Sequence, residues 1–289
     1  MMDDTFVAAA IRAGEIHKII DMVYEEIPEN INNLRSFHNT IKSNLILEAK
    51  KMTNGEKLLD IAVGRGGDIG KWARAKFKYV TAFDNDKKSI YEKNDFDGAI
   101  QRYQDMRGKI FVPKCFFWNI SATDPNVLEK VNGKDRGNIY DVVSCQFALH
   151  YFVKDLDTLL DMVSKKLRLG GVFIGTASNG NLIKKNISER DINIPFLSVC
   201  KKDSESYDYE LTSNGSKKRE TYFEYRGALS EYYIDIDLLV EKCKKYSLEP
   251  VRIETFHEWK ERNENTNYLT LCEKIISFMN FAFVFKKIC

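Results

Sequence analysis

Leu58-Leu59-Asp60-Ile61-Ala62-Val63-Gly64-Arg65-Gly66-Gly67-Asp68-Ile69-Gly70-Lys71-Trp72 is the stretch from which the rest of the chain can be read. A short apolar run with β-branched members stops at glycines, and an amphipathic pattern opens at Asp68-Ile69. This order predicts a strand, a tight turn and a helix start. Glycines at 64, 66 and 67 let backbone N–H groups approach a ligand closely, and the helix N-terminus beyond adds donors toward something polar or anionic.

Two ligand classes use such a turn, and spacing separates them. A dinucleotide G-x-G-x-x-G counted from Gly64 needs its third glycine at position 69, which is Ile69; Gly70 comes one place late. The pattern acidic-x-x-x-Gly-x-Gly-Gly, with an acidic residue ending the next strand to hold ribose hydroxyls, suits S-adenosylmethionine (SAM). Asp60 and Gly64-Arg65-Gly66-Gly67 supply the first part, and Tyr79-Val80-Thr81-Ala82-Phe83-Asp84 the second. Taken bare, Asp84 has a competing reading as the cap of a helix starting near Asn85.

Composition narrows the class. At 289 residues, with 44% apolar and 30% charged residues, the chain is long enough for one large α/β domain with a substantial core. A net charge of +2 does not point to nucleic acid; only local clusters such as Lys184-Lys185 and Lys217-Lys218-Arg219 could, and each alone reads as solvated surface. Six cysteines, none at C-x-x-C spacing and none near histidines at ligand spacing, read as reduced thiols with no metal site. Asp3, Asp4 and Arg12 argue against a signal peptide, and no apolar span is long enough for a membrane. A cytoplasmic location is expected.

Residues 5–28 read as a helical segment, followed by a second helix in which Leu34, Phe37, Ile41 and Leu45 recur at helical spacing, so that 1–52 forms an N-terminal helical region. On that second helix His38, Asn39 and Lys42 read as a solvated face, or alternatively as a wall of the site. Beyond Asp84 the pattern predicts a long helix over 86–106, a strand over 112–118 ending at Asn119, a strand over 139–145, a helix over 154–167 stopping at Gly170-Gly171, and a strand over 172–176. Such alternation argues a parallel sheet with helices on both faces and ligands beyond the carboxyl ends of its strands. Gly64, Asp84, Asn119, 146–151 and 176–180 all fall at that edge. Residues 181–230 turn polar and tyrosine-rich, with a turn at Ser213-Asn214-Gly215-Ser216 and short strands near 207–211 and 221–225. This reads as an insertion over the substrate side, a lid. A helix over 236–246, a strand over 248–255, a hydrophilic link over 257–267 and a strand over 278–285 complete the fold.

Several segments then carry a family resemblance: Leu34-Arg35-Ser36-Phe37-His38-Asn39-Thr40-Ile41-Lys42-Ser43, the glycine turn through Lys71-Trp72, Gln101-Arg102-Tyr103-Gln104-Asp105-Met106, Cys145-Gln146-Phe147-Ala148-Leu149-His150-Tyr151, Phe173-Ile174-Gly175-Thr176 and Phe283-Val284-Phe285-Lys286-Lys287. Over nearly its whole length the chain resembles mRNA cap guanine-N7 methyltransferases. Within that family it resembles in particular the methyltransferase portion of a large-DNA-virus capping enzyme of the African swine fever virus type. The resemblance implies a single Rossmann-like class I SAM-dependent methyltransferase domain over 1–289, with a seven-stranded mostly parallel sheet and the inserted region 181–230.

By that resemblance Lys42, Gly64, Gly66, Asp84, Asn119, Gln146, Phe147 and Tyr151 hold SAM. His150, Tyr151 and Glu231 contact the cap guanine, and Arg65 and Arg102 meet the cap phosphates. Departures from the family pattern are Asn119 where an aspartate is common, His38 for the first of an Asn-Asn pair, Ser178 for a proline, and Asn280 for a cap-contacting tyrosine; Phe278 is the candidate for the missing ring. His38, Ser178 and Asn280 join the substrate-side set. Guanine N7 carries a lone pair and no proton, so no acid or base is expected, and His150, Tyr151 and Glu231 act by positioning. The implied partner is capped RNA, with no DNA and no membrane, and with other capping-enzyme domains in a longer polypeptide; a viral chain would work in the host cytoplasm and travel in the virion. A SAM methyltransferase for a tRNA or protein acceptor, and an inactive fold serving as an RNA-binding scaffold, stand as rivals.

Overall fold

The computed structural model describes residues 2–25, 27–93, 97–212, 229–265 and 267–289. The expected turn at Ser213-Asn214-Gly215-Ser216 and strand at 221–225 lie outside them. By contacts the chain divides into two compact units. One comprises Met1–Ile41, Ala177–Ile236 and Glu254–Ala282, and the other Lys42–Thr176, Asp237–Ile253 and Phe283–Cys289.

The chain opens with α1 (Asp4–Ala13), which ends where Gly14 turns left-handed at φ 78° and its N–H reaches back to Ala10 and Ile11. Short 3₁₀ turns at Ile16–Lys18 and Ile20–Glu25 follow, so the helix expected over 5–28 is broken. Next, α2 (Asn32–Thr53) buries Leu34, Phe37, Ile41 and Leu45 as their spacing requires.

Strand β1 (Lys57–Ile61) leads through the glycine turn to α3 (Ile69–Arg74) and β2 (Tyr79–Asp84). The helix expected over 86–106 is two helices, α4 (Lys87–Tyr91) and α5 (Ala99–Arg107). Asp86 caps the first by accepting the Lys88 and Ser89 N–H groups, and the second starts from Gly98, where a β-carbon would lie 2.8 Å from the Ile90 carbonyl oxygen. Then come β3 (Lys114–Asn119), α6 (Val127–Asp135), β4 (Tyr140–Gln146), α7 (Leu156–Lys166) and β5 (Leu167–Ser178). Gly170-Gly171 does not end a helix. Strand β5 begins directly after α7, and the pairing of β4 with β5 jumps from Tyr140–Leu167 to Val142–Val172, with Gly170 at φ 74° inside the bulge.

The polar insertion is more regular than its composition suggests. After α8 (Gly180–Asn186), β6 (Ile192–Ile194), β7 (Leu197–Lys201), β8 (Ser206–Leu211) and β9 (Leu229–Tyr232) form an antiparallel sheet in sequence order. The chain continues with α9 (Ile236–Lys245) and β10 (Leu248–Thr255), both as expected. It then forms α10 (Phe256–Arg262), where a hydrophilic link was expected over 257–267, and α11 (Leu271–Phe278), for which no element was expected, and closes with β11 (Asn280–Lys287), two residues later than the strand expected over 278–285.

The main sheet has the order β10-β11-β5-β4-β1-β2-β3, and the pairs β1–β2, β1–β4, β2–β3 and β4–β5 are all parallel. Strands β1 and β4 are buried almost throughout, as parallel strands covered on both faces must be. Among the described residues no helix is long and apolar enough to cross a membrane.

Candidate cofactor and acceptor sites

Parallel registry brings the chemistry-bearing residues to one edge. Ile61 pairs with Phe83 and with Cys145, Asp84 pairs with Asn119, and Gln146 with Thr176. The glycine turn, Asp84, Asn119 and the segment after Gln146 therefore leave the sheet at its carboxyl end. The turn is held by the Val63 N–H donating to Phe83 O (3.1 Å) and the Gly66 N–H to Val63 O (3.0 Å). Gly64 and Gly66 adopt φ 51° and 75°. A β-carbon on Gly66 would strike Ile69 at 2.6 Å, whereas one on Gly64 would point into open space.

Asp84 faces this turn: one carboxylate oxygen accepts the Gly64 N–H (2.8 Å) and the other the Asp86 N–H (2.8 Å). Burial pushes its carboxyl above the usual range, with the backbone donors opposing that rise. It ends β2 beside the glycine turn, where the sequence pattern expected it. The helix-capping role belongs to Asp86 instead.

Below the turn lies a charged cluster that sequence reasoning only partly anticipated. Lys42 and Lys71 both pair with Asp68 Oδ1, at 2.8 and 2.7 Å, and Lys71 also donates to Gly67 O (2.9 Å). Burial pushes the Asp68 carboxyl up, but the two ammonium groups outweigh it and hold it down at about 2. Asp60 has the opposite fate. Burial first, and then the Asp68 charge, push its carboxyl well above the usual range. Its Oδ1 is buried with no hydrogen-bond partner among the described residues. A buried acceptor of this kind requires a donor, and the ammonium of an amino-acid moiety would satisfy it.

The loop after β4 carries the next group. Phe147 holds φ 53°, rare for a non-glycine residue, with its N–H on Thr176 O (2.8 Å). Gln146 is tied to Ser144 (3.2 Å) and Thr176 (3.0 Å). His150 is buried and Tyr151 half-buried on a 3₁₀ turn, their rings edge to face with centroids 4.2 Å apart. Asn119 donates to Asp84 O and Asn85 O, both at 2.9 Å, which fixes the end of β3 against β2. Arg65 stands in the turn, its charge among the influences that lower the Asp86 carboxyl. Arg102, from α5, lines a groove of about 410 Å³ together with Gly66, Lys71, Arg74 and Met106. The structure thus brings Arg102 to the glycine turn across more than thirty positions of sequence.

The other unit contains Glu231, 2% exposed on β9. Its Oε2 accepts from the Tyr207 hydroxyl (2.7 Å) and the Ser178 hydroxyl (3.2 Å). Tyr207 stands opposite Glu231 in the β8–β9 ladder. Burial, and then the Glu231 charge, push the Tyr207 phenol well above its usual range, so it is a committed donor. Ser178, at a position expected to hold proline, supplies the second hydroxyl. Nothing in the local pattern singled out Tyr207; only strand register reveals it.

Three substrate-side residues of this unit are placed differently from expectation. His38 is not on a solvated face: it is 3% exposed, with Nε2 3.1 Å from Ser277 Oγ and its ring against Phe256. It lies four residues beyond Leu34 and three before Ile41, inside the apolar stripe. Asn280 donates to Ile276 O (2.8 Å) and Ser277 O (3.1 Å), capping the end of α11. Phe278 is 2% exposed and packs against His257, so it is a core ring and does not replace the absent tyrosine.

Solved structures bear on the class. A SAM-dependent methyltransferase from Clostridium acetobutylicum aligns over 95% of this chain and 98% of its own, at TM-score 0.55 and 15% identity. The PH0226 protein from Pyrococcus horikoshii aligns over 86% and 90%, at TM-score 0.53 and 14% identity. With the glycine turn, Asp84 and the buried Asp60 Oδ1 at the sheet edge, this fold defines a class I SAM-dependent methyltransferase, and the residues present fit SAM. Residues 21–282 match the mRNA (guanine-N(7))-methyltransferase domain, and the chain belongs to that family.

Among relatives, an mRNA cap guanine-N(7) methyltransferase from Caenorhabditis briggsae is 37% identical over 159 residues, 52% of this chain and 40% of the relative. One from Cryptococcus neoformans is 29% identical over 244 residues, 79% of this chain and 36% of the relative. A probable mRNA-capping enzyme of Acanthamoeba polyphaga mimivirus is 30% identical over 183 residues, 57% of this chain and 15% of the relative. The chain thus spans well under half the length of these relatives.

Proposed function

We propose that the chain transfers the methyl group of SAM to N7 of the guanine cap of mRNA. The observation that carries this reading is the buried Glu231 carboxylate, gripped by Ser178 and Tyr207, in a chain that belongs to the guanine-N7 family. A guanine edge presents N1–H and an amino group, and a fixed carboxylate is the acceptor that matches both. Its negative charge also favours the cationic 7-methylguanine and the transition state leading to it.

When bound, SAM supplies an electrophilic methyl group on a sulfonium. Asp84 would hold the ribose hydroxyls, the Gly64 and Gly66 backbone would line the turn, and Asp60 with the Lys42–Asp68–Lys71 cluster would receive the amino-acid end. Asn119, Gln146 and Phe147 would frame the adenine side, with Tyr151 contacting the cofactor as well as the guanine. His150 and Tyr151 orient the guanine without exchanging a proton, since N7 already offers a lone pair. Holding nucleophile and electrophile in line is the main contribution, of roughly 7–11 kcal/mol in well-oriented systems. Arg65 and Arg102 would meet the cap phosphates. His38 and Asn280 shape the guanine side indirectly, through their bonds to α11.

We also propose kinship with large-DNA-virus capping enzymes of the African swine fever virus type, in which further capping activities accompany this one and cytoplasmic transcripts are the substrate. The mimivirus relative, much longer than the segment it shares with this chain, supports that reading. The catalytic unit would be one domain over 1–289, with 181–230 as its substrate-side insertion.

The test is calorimetric SAM binding followed by methyl transfer from tritiated SAM to GpppA-capped and to uncapped RNA. Methylation confined to capped RNA is expected. Equal labelling of uncapped RNA or of protein would move the acceptor elsewhere, and SAM binding without transfer to any RNA would favour the scaffold reading.

A further inference from the structure

Strand β3 is the edge of the main sheet, and one of its faces is unusual. Lys114, Phe116 and Trp118 alternate onto that face. The Lys114 ammonium lies 5.4 Å from the Phe116 ring centre, and the Phe116 and Trp118 rings are nearly parallel at 27°, with centroids 6.3 Å apart. Phe116 is 43% exposed, a large apolar area for a soluble edge strand. The ladder ends next to Asn119, whose amide holds the Asp84 backbone.

At the foot of the ladder is a groove of about 670 Å³, lined by Lys78, Tyr79, Arg107, Phe111 and Lys114 among others, with no carboxylate among the described residues of its wall. Phe111 is 69% and Tyr79 45% exposed. Lys78 is bridged to Glu56, while Arg107 and Lys114 have no carboxylate partner among the described residues. The Tyr103 hydroxyl donates to Pro113 O (3.1 Å), which fixes α5 beside the groove. Arg107 closes α5 five residues beyond Arg102, about 7.5 Å along a helix axis. One helix therefore carries a cation at the glycine turn and another at this groove.

Exposed rings interleaved with cations, with Glu56 on Lys78 the one carboxylate paired to a lining cation among the described residues, suit a flexible polyanion with flat apolar faces. A protein-docking surface is instead depleted of charge at its centre. We propose that the β3 face and the groove below it bind the single-stranded RNA that follows the cap, bases stacking on Phe116 and Phe111 and phosphates meeting Arg107 and Lys114. The inference rests on the cap-methyltransferase reading for the identity of the polymer, and it adds where that polymer runs.

The experiment uses the full chain and two independent readouts. Binding of an uncapped single-stranded RNA of about 15 nucleotides is followed by fluorescence anisotropy, and methylation is compared between the GpppA dinucleotide and a GpppA-capped RNA of the same length. Phe116→Ala, Phe111→Ala and the pair Lys114→Ala/Arg107→Ala are measured beside wild type. Each ring variant should weaken RNA binding by about five-fold to over a hundred-fold and raise KM for capped RNA, leaving kcat/KM for GpppA unchanged. The double cation variant should also flatten the salt dependence of binding. Unchanged RNA affinity in all three variants overturns the inference and leaves the rings to a protein contact, with the cap reading intact. Equal loss on GpppA and on long RNA overturns it as well, because the variants would then have damaged the site itself. Failure of the wild type to methylate GpppA while binding SAM would instead remove the cap reading.

Discussion

Glu231, proposed above as the guanine reader, has a setting that the sequence hides and the structure displays. Among the tyrosines and acids of 203–211 and 229–235, nothing local distinguishes it from a surface carboxylate. Register does, by setting Tyr207 across from it, and the close of β5 adds Ser178. Glu231→Gln keeps the shape but exchanges one acceptor oxygen for a donor and removes the charge. A hydrogen bond to a charged group contributes about 1.5–3 kcal/mol, so kcat/KM for GpppA-RNA should fall roughly ten-fold to over a hundred-fold, with SAM affinity unchanged. Tyr207→Phe should move the same parameter in the same direction by less, because Ser178 still holds the carboxylate. Wild-type turnover in Glu231→Gln would exclude it as the guanine reader. The placement of Asp84, by contrast, was legible, because an apolar strand ending in a carboxylate after a glycine turn puts that carboxylate at the same sheet edge as the turn. Asp84→Ala should abolish calorimetric SAM binding in a folded protein, and retained binding would take Asp84 out of the cofactor site.

Among the elements, the strand–turn–helix start at 58–72 was legible because periodicity and glycine placement agree there. Its central glycine allows a clean test. At φ 51°, Gly64→Ala strains the backbone by about 1 kcal/mol, yet the added carbon meets no protein atom. SAM affinity should therefore fall far more than thermal stability, and a variant destabilised but binding normally would contradict the cradle. The neighbouring Lys42–Asp68–Lys71 cluster gives a pH signature. Asp68 is depressed from 3.8 to about 2, so its ion pairs stabilise the fold by about 2 kcal/mol above pH ~4. That contribution is lost as pH falls through 2. Urea denaturation of wild type and Asp68→Asn should show a stability gap at pH 5 that closes toward pH 2; a gap independent of pH would contradict the assignment. Helices α10 and α11 were missed although each announces itself by a capping box, Thr255 with Glu258 and Thr270 with Glu273. The apolar run of α11 merges with that of β11, so hydrophobicity alone could not separate them. The single helix expected over 86–106 took no account of Gly98, from which α5 starts and where a β-carbon would lie 2.8 Å from Ile90 O.

At the scale of the whole molecule, strand alternation was enough to anticipate a parallel sheet with its ligand edge, since each helical segment returns the chain to start another strand in the same direction. The insertion was not legible to the same degree. Its strands do alternate, with Ile192, Ile194, Leu197 and Val199 buried between polar neighbours, and the one near 207–211 was expected, but β6 has only three residues and β9 four, too few for a period to stand out. Yet this part carries Glu231, the carboxylate proposed to read the acceptor, so the fold alone does not identify the methylated atom. The most direct test of the central claim is therefore to locate the methyl group. GpppA-RNA is incubated with the chain and tritiated SAM, digested to nucleotides and resolved against standards. The account predicts that the label co-migrates with m7GpppA. Label recovered in a 2′-O-methylated or internal nucleotide would contradict it.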